Sequence, residues 1–194
     1  MQKICDKLAL FSYLRPMENN KINFIDVNSA INWDEYFMLQ AVMASFKSKD
    51  PATKVGCVFV DQNNHQITFG YNGFVAGIDE SKLPWGKDKE VSLEFQKYGY
   101  VVHAEANAIL HTTNALSNAK CYVTLFPCHE CAKLLASSKV SEIIYLQDKH
   151  SGTESNRISK KIFELTEIKT RKLELSSDII DKLTSHFNEA ILNQ

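Results

Sequence analysis

The sequence predicts an α/β domain with a mixed central sheet, in which an N-terminal β-hairpin is followed by parallel strands. A nearly continuous apolar run over 55–60 and alternating apolar residues over 67–71 flank turn-forming residues 61–64, which predicts the hairpin. From residue 104 onward, helical and strand-like patterns alternate, as they do in parallel βαβ units. With 194 residues, 44% of them apolar, the chain is long enough to form its own core.

The chain divides near residue 30. Residues 1–30 have mixed polarity and weak periodicity, and we interpret them as an N-terminal extension. Residues 31–194 are predicted to form a single domain. Its first helix should begin after Asn32, which can form a capping box with Glu35, and should end before Asp50-Pro51.

The rest of the chain is assigned from hydrophobic period and turn chemistry. In chain order, the pattern predicts a loop over 72–89, a short amphipathic helix over 91–98, a helix over 104–111, a strand over 121–125, a helix over 128–137, a strand over 142–146, a helix over 155–167, an edge strand over 169–174 and a last helix from Asp178.

Charge, hydropathy and cysteine content exclude several classes of protein. The 22 basic and 23 acidic residues give a net charge of −1, so we expect neither a nucleic acid nor a membrane surface as partner. No apolar run approaches the roughly 20 residues of a membrane span. Five cysteines are an odd number in a chain too large to need disulfides, which favours a reducing compartment, and we expect a cytoplasmic protein.

Two short segments at the starts of predicted helices carry the chemistry, His103-Ala104-Glu105 and Pro127-Cys128-His129-Glu130-Cys131. Cysteines three apart on a helix face the same side, and a helix N-terminus favours thiolates. Together with His103 they make three protein ligands for zinc, which leaves a fourth position for water, as in catalytic sites. Glu105 is placed to carry protons to and from that water. A redox dithiol or a structural zinc site is the alternative, but neither requires His-x-Glu upstream.

H-x-E followed by P-C-x-x-C is the signature of zinc-dependent nucleobase deaminases. About half of the chain, from Asp50 to Leu146, further resembles the deoxycytidylate (dCMP) deaminase family. The motifs that carry this resemblance are Asp50-Pro51, Val55-Gly56, Gly70-Tyr71-Asn72-Gly73, Leu83-Pro84-Trp85, His103-Ala104-Glu105-Ala106-Asn107-Ala108-Ile109 and Phe126-Pro127-Cys128-His129-Glu130-Cys131-Ala132.

The resemblance implies a three-layer α/β/α sandwich of the cytidine deaminase type with one Zn²⁺ per subunit. It implies hydrolytic deamination of dCMP to dUMP and ammonia, which supplies dUMP for thymidylate synthesis. In this scheme the metal activates a water for attack on C4 of cytosine. Glu105 delivers a proton to N3 and later one to the departing ammonia.

The resemblance also implies roles in substrate binding. Asn72 matches the family asparagine that binds the sugar, and the backbone N–H of Ala104 would align the ring. His150 stands where the family commonly has a tyrosine and would stack on the base. We expect Lys54 to bind the 5′-phosphate, because a dianion requires donors or cations.

Regulation and assembly are also implied by the family. Many members respond to dCTP and dTTP through a loop that here runs between Gly73 and Gly77, and many form homo-oligomers, often hexamers. Val75 and Ala76 stand where the family often has Pro and Asn, so the nucleotide response is not assumed for this chain.

Two alternative functions stay open at this stage. One is a deaminase of another substrate, such as free cytidine, an adenosine in tRNA, or a pteridine-like or riboflavin precursor. The other is a zinc-containing nucleotide-binding regulator without turnover. The net charge of −1 disfavours a tRNA substrate, and Glu105 disfavours a pure binding protein.

Overall fold

The structure is a computed structural model that describes residues 30–86, 88 and 90–192. Apart from Ala30, the predicted N-terminal extension lies outside the described residues, and so does Cys5. The described residues from Asn32 onward form one compact unit. The domain boundary near residue 30 stays a prediction.

Five α-helices and seven strands make up most of the described part of the chain. The helices are α1 (Trp33–Ser45), α2 (Ala104–Leu110), α3 (His129–Ser137), α4 (Glu154–Leu165) and α5 (Ile179–Phe187), the last continued by a π-helical turn at Asn188–Leu192. The strands are β1 (Gly56–Val60), β2 (Gln66–Tyr71), β3 (Gly73–Phe74), β4 (Val101–Val102), β5 (Lys120–Leu125), β6 (Glu142–Gln147) and β7 (Lys169–Lys172). None of the described helices has the length and apolar character needed to cross a membrane.

The main sheet is mixed, with strand order β2-β1-β5-β6-β7. Strand β1 pairs antiparallel with β2 and with β5, whereas β5, β6 and β7 run parallel. The predicted hairpin followed by parallel strands is therefore confirmed. Strands β3 and β4 form a separate two-stranded sheet, in which Gly73 pairs with Val102 and Phe74 with Val101.

Helices cover both faces of the main sheet, which confirms the predicted three layers. On one face, alternate residues of β1, Val58 and Val60, pack with Phe37 and Met38 of α1. On the other face, Cys57 and Phe59 join a larger cluster with side chains from α2, α3 and α4. Because both faces are covered, β1 is apolar at every position instead of alternating.

The amphipathic helix predicted over residues 91–98 is wrong. The segment instead forms two short 3-10 turns, Leu93–Phe95 and Lys97–Gly99, separated by Gln96 in an extended conformation. The physical reason is the partner of the Lys97 backbone N–H, which donates to the carbonyl of Gly86 at 2.9 Å and not to a carbonyl within the segment. This contact holds the segment against the preceding loop, which a continuous helix would not permit.

Helix α2 lies directly against β2, and glycine at position 70 makes this close approach feasible. A Cβ atom on Gly70 would lie 2.7 Å from the Ala108 nitrogen and closer still to the Ala104 carbonyl oxygen. Two hydrogen bonds join the same elements. Asn107 Nδ2 donates to the Tyr71 carbonyl at 2.7 Å, and Thr68 Oγ1 donates to the Ala108 carbonyl at 3.2 Å.

We predict that Gly70→Ala destabilises the protein by about 2 to 3 kcal/mol, because the added methyl group displaces the α2 backbone from β2. Gly86→Ala is the matched control, since a Cβ at position 86 meets no atom within 4 Å. It should change stability by no more than about 0.5 kcal/mol. Equilibrium unfolding in urea measures both. Equal stabilities for the two variants would contradict the close contact between α2 and β2.

Candidate active site

The site lies where two helices begin. His103 precedes α2 and Cys128 precedes α3, each as an extended N-cap residue whose side chain makes no capping hydrogen bond. Both side chains are therefore available to face each other, and Cys131 in the first turn of α3 joins them. The Nδ1 atom of His103 lies 3.4 Å from the Cys128 sulfur and 3.4 Å from the Cys131 sulfur.

This three-residue cluster has the dimensions of a zinc site. Its ligand atoms all lie within 4.8 Å of one another. Tetrahedral zinc with bonds of about 2.3 Å to sulfur and about 2.1 Å to nitrogen places sulfur and nitrogen about 3.5 Å apart, close to the distances in the structure. Among the residues that the structure describes, no other group of three or more His, Cys, Asp or Glu side chains has such spacing.

The local sequence explains how Cys128 is presented. Strand β5 ends at Leu125, and Phe126 then inserts into the core, edge to face with Tyr145 at 4.8 Å between ring centroids. With Phe126 fixed in this way, Pro127 leads directly into α3. The hydroxyl of Ser155 accepts a hydrogen bond from the His129 backbone N–H at 3.2 Å, which satisfies one free donor at the helix start and joins α3 to α4.

Electrostatics within the cluster favour a cation. The hydrogen bond from the Cys131 thiol, with a second one from His103, lowers the pKa of Cys128 to about 3. The hydrogen bond to Cys128 raises the pKa of His103, and the Cys128 sulfur together with burial raises the pKa of Cys131. A zinc ion would take the place of the protons on His103 Nδ1 and Cys131 Sγ, since zinc ligation requires thiolates and neutral imidazole.

Glu105 lies in the first turn of α2, two residues beyond His103, and only 3% of it is exposed. Burial raises the pKa of its carboxyl group above the usual range. A carboxyl group with a raised pKa takes up a proton more readily than an exposed carboxylate does, which suits general acid–base catalysis.

A cavity of about 230 Å³ opens beside Glu105 and the cluster. Its lining contains six of the residues predicted for the site, which are Asn72, His103, Ala104, Glu105, Cys128 and His150. His150 is exposed. The structure therefore brings the zinc-type cluster, the buried carboxylate and three of the predicted substrate contacts to one cavity.

Lys54, predicted to bind phosphate, does not line this cavity, although Thr53 and Val55 on either side of it do. The Lys54 side chain is exposed instead. Gly73 and Gly77 line a different groove of about 780 Å³, which shares Asn72 with the cavity.

The lining residues that carry no site assignment from the sequence include Asp50, Lys97 and Tyr98. Asp50 and Lys97 form an ion pair at 2.5 Å in which both side chains are buried. Nothing in the local sequence around either residue signals this pair, because 47 positions separate them. Tyr98 is 56% exposed and follows the buried lysine in the chain.

A mixed sheet flanked by helices, with one histidine and two cysteines at converging helix N-termini beside a buried glutamate, defines a zinc-dependent deaminase. The model of the family described as "Cytidine and deoxycytidylate deaminase zinc-binding region" matches residues 31–147. The chain therefore belongs to the cytidine and deoxycytidylate deaminase family. Zn²⁺ as the cofactor is confirmed by the zinc-binding character of this family and by the cluster at its expected motif.

Individual relatives agree with this membership. The chain is 41% identical over 147 residues to a probable deoxycytidylate deaminase of Drosophila melanogaster, covering 73% of this chain and 72% of the relative. It is 38% identical over 143 residues to the deoxycytidylate deaminase of Mus musculus, covering 73% and 80%. The predicted resemblance to deoxycytidylate deaminases is thus confirmed.

A solved structure shares the fold. The dCMP deaminase from the cyanophage S-TIM5, determined in complex with dCMP and dUMP, superimposes with a TM-score of 0.58 at 20% sequence identity. The match covers 72% of this chain and 95% of the phage chain. The predicted cytidine deaminase type of sandwich is confirmed by this similarity.

We predict that Cys128→Ala abolishes stable zinc binding, since two ligands hold zinc far more weakly than three. Cys121→Ala is the control, because Cys121 is a free, fully buried thiol on β5 outside the cluster. It should keep about one zinc per chain, measured by elemental analysis of the purified variants. Full zinc occupancy in Cys128→Ala would contradict the ligand set.

Proposed function

We propose that this protein is a dCMP deaminase, which hydrolyses dCMP to dUMP and ammonia and supplies dUMP for thymidylate synthesis. The observation that carries the proposal is the cluster of His103, Cys128 and Cys131 next to the buried Glu105 beside one cavity. The identity to deoxycytidylate deaminases over most of the chain supports the choice of substrate.

His103 Nδ1 and the two thiolates would hold one zinc ion. When bound there, zinc supplies Lewis acidity and lowers the pKa of a coordinated water toward neutrality. The position of both cysteines at the N-terminus of α3 stabilises their negative charge through the helix dipole.

Glu105 moves the protons of the reaction. Its carboxylate accepts a proton from the attacking water and delivers it to N3 of the cytosine ring, while a bond forms between C4 and the water oxygen. It then carries the proton of the new C4 hydroxyl to the exocyclic amino group as the C4–N bond breaks, so that C4 becomes a carbonyl and ammonia leaves. Burial of Glu105 excludes solvent from these transfers and keeps its pKa raised, so that the protonated state is accessible.

The remaining cavity residues would bind and orient the nucleotide. The backbone N–H of Ala104 lies in the first turn of α2, where no intrahelical acceptor exists, and would donate to the pyrimidine ring. Asn72 would bind the sugar, and the exposed ring of His150 would stack on the base. Lys54 is exposed between two lining residues, and we assign to it the 5′-phosphate, which extends out of the cavity.

The proposal extends to compartment and assembly. The four described cysteines are free thiols, which supports a reducing, cytoplasmic location. Met43 on α1, Phe46 at the C-cap of α1 and Phe69 on β2 each expose half or more of their surface, which supports a homo-oligomer, a hexamer by analogy with the family.

Effector binding is assigned to the groove of about 780 Å³ that Gly73 and Gly77 line. Lys47, Lys49 and His111 also line this groove, and basic side chains of this kind suit the phosphates of dCTP or dTTP. Because the groove shares Asn72 with the substrate cavity, occupancy of one site can influence the other.

We predict that Glu105→Gln reduces kcat for dCMP by about 10³-fold or more while zinc content and stability stay close to the wild-type values, because the amide cannot carry protons. Glu130→Gln is the matched control. Glu130 lies in the first turn of α3 but is exposed and paired with Lys133 at 2.7 Å. It should retain activity within about threefold. Conversion of dCMP is followed by ultraviolet absorbance, and activity of Glu105→Gln within a few-fold of wild type would contradict the proposed mechanism.

A further inference from the structure

One buried ion pair in the substrate cavity has no part in the proton chemistry above. Lys97 Nζ lies 2.5 Å from Asp50 Oδ2, and the two side chains are 6% and 2% exposed. Within the described residues it is the one ion pair in which both side chains are buried. Burying two charges costs free energy unless each charge is well hydrogen-bonded. The hydrogen-bond partners of the pair therefore indicate its role.

Asp50 is fully hydrogen-bonded. Its Oδ1 atom accepts from the backbone N–H groups of Ala52 at 2.8 Å and Thr53 at 3.1 Å. Its Oδ2 atom accepts from Lys97 and, at 3.3 Å, from Asn72 Nδ2. The carboxylate therefore links the charge of Lys97 to the residue assigned to the sugar.

The orientation of the Asn72 amide follows from two backbone groups. The Val55 N–H can only donate, and it lies 2.8 Å from Asn72 Oδ1. The Thr53 carbonyl can only accept, and it lies 3.0 Å from Nδ2. Asp50 takes the second Nδ2 hydrogen. Both donor hydrogens of the Asn72 amide are thus used. Its Oδ1 atom still has one free lone pair, so the amide can accept one hydrogen bond from a ligand.

We propose that the buried Lys97–Asp50 pair is a positioning device that adds to the two backbone contacts of Asn72. By taking the second Nδ2 hydrogen, the pair leaves the Asn72 amide only as an acceptor, and thereby makes a sugar hydroxyl of the substrate a requirement for productive binding. Asp50 and Lys97 act through Asn72 and do not touch the reacting atoms. This inference rests on the proposed function, because it assumes that Asn72 binds the sugar of dCMP. The deoxyribose of dCMP carries one hydroxyl, at the 3′ position, so that hydroxyl is the donor.

A direct phosphate contact would be the other use for a lysine in this cavity. The structure disfavours that use, because the carboxylate of Asp50 is bonded to the same ammonium group. A phosphate dianion placed against Lys97 would lie close to a buried negative charge, and like charges repel strongly where water is excluded. The phosphate is better accommodated outside the cavity.

The test compares kcat/KM for dCMP with that for 2′,3′-dideoxycytidine 5′-monophosphate, which lacks the 3′ hydroxyl. The wild-type protein should prefer dCMP by about tenfold or more, the value of one good hydrogen bond. Asn72→Ala should reduce this preference to about threefold or less. Asp50→Asn combined with Lys97→Met should lower the preference to within about threefold of the Asn72→Ala value.

The double variant is chosen because it removes both charges and leaves none buried and unpaired. Whichever way the amide introduced at position 50 turns, one of its donor hydrogens faces another donor, either Asn72 Nδ2 or the backbone N–H groups of residues 52 and 53. The orientation of Asn72 is therefore weakened without loss of side-chain volume. Lys82→Met is the matched control, since Lys82 pairs with Asp79 at 3.5 Å on the surface. It should keep the wild-type preference.

Three outcomes overturn the inference and are distinguishable. A wild-type protein that does not deaminate dCMP overturns the proposed function, and the inference with it. A double variant that keeps the wild-type preference, while Asn72→Ala loses it, overturns the inference alone. A double variant that loses activity on dCMP but not on deoxycytidine identifies Lys97 as a phosphate ligand and also overturns the inference. Parallel loss of preference in both variants, with about one zinc per chain, supports it.

Discussion

The packing of α2 and α3 against one sheet is the constraint on which the rest of the structure depends. Helix α2 lies on β2 with backbone almost in contact with backbone at Gly70, and α3 follows β5 directly after the buried Phe126. This placement of both helices brings their first residues together, with 3.4 Å between His103 Nδ1 and each cysteine sulfur. The metal-type cluster, the buried Glu105 and the adjoining cavity all follow from this meeting of two helix N-termini.

The polar interior beside the cluster meets a second requirement, which is that a water-soluble nucleotide be held in one orientation. Asp50, Lys97 and Asn72 are all largely buried, and each is hydrogen-bonded to a partner of opposite character. Such a network stabilises little by itself, because desolvation offsets most of the Coulombic attraction. Its consequence is specificity, since both Nδ2 hydrogens of Asn72 and both carboxylate oxygens of Asp50 have fixed partners. The starts of α2 and α3 thus carry the groups for chemistry, and the 50–55 segment carries groups for recognition of the nucleotide.

Local sequence patterns predict the helix starts and the metal-type cluster. The capping box at Asn32 and Glu35 forms as its spacing indicates, and the His-x-Glu and Cys-x-x-Cys segments begin helices as expected. These predictions depend on residues no more than three positions apart, where local backbone geometry decides which groups meet.

Predictions that depend on distant contacts were less successful. The segment over 91–98 has an amphipathic pattern but is drawn into two short turns by contacts of Lys97 with Gly86 and Asp50. The Asp50–Lys97 pair could not be inferred, since no local signal joins residues 47 positions apart. Lys54 is adjacent in sequence to two cavity residues, yet its side chain is exposed and lies outside the lining.

Whether zinc at this cluster drives deamination is tested by following dCMP turnover as zinc is removed with a chelator and then restored, with the zinc content of each sample measured. Activity should rise in proportion to bound zinc and reach its maximum at about one ion per chain, with dUMP and ammonia formed in equal amounts. Full activity in zinc-free protein, or no dUMP from protein that holds one zinc per chain, would contradict the account.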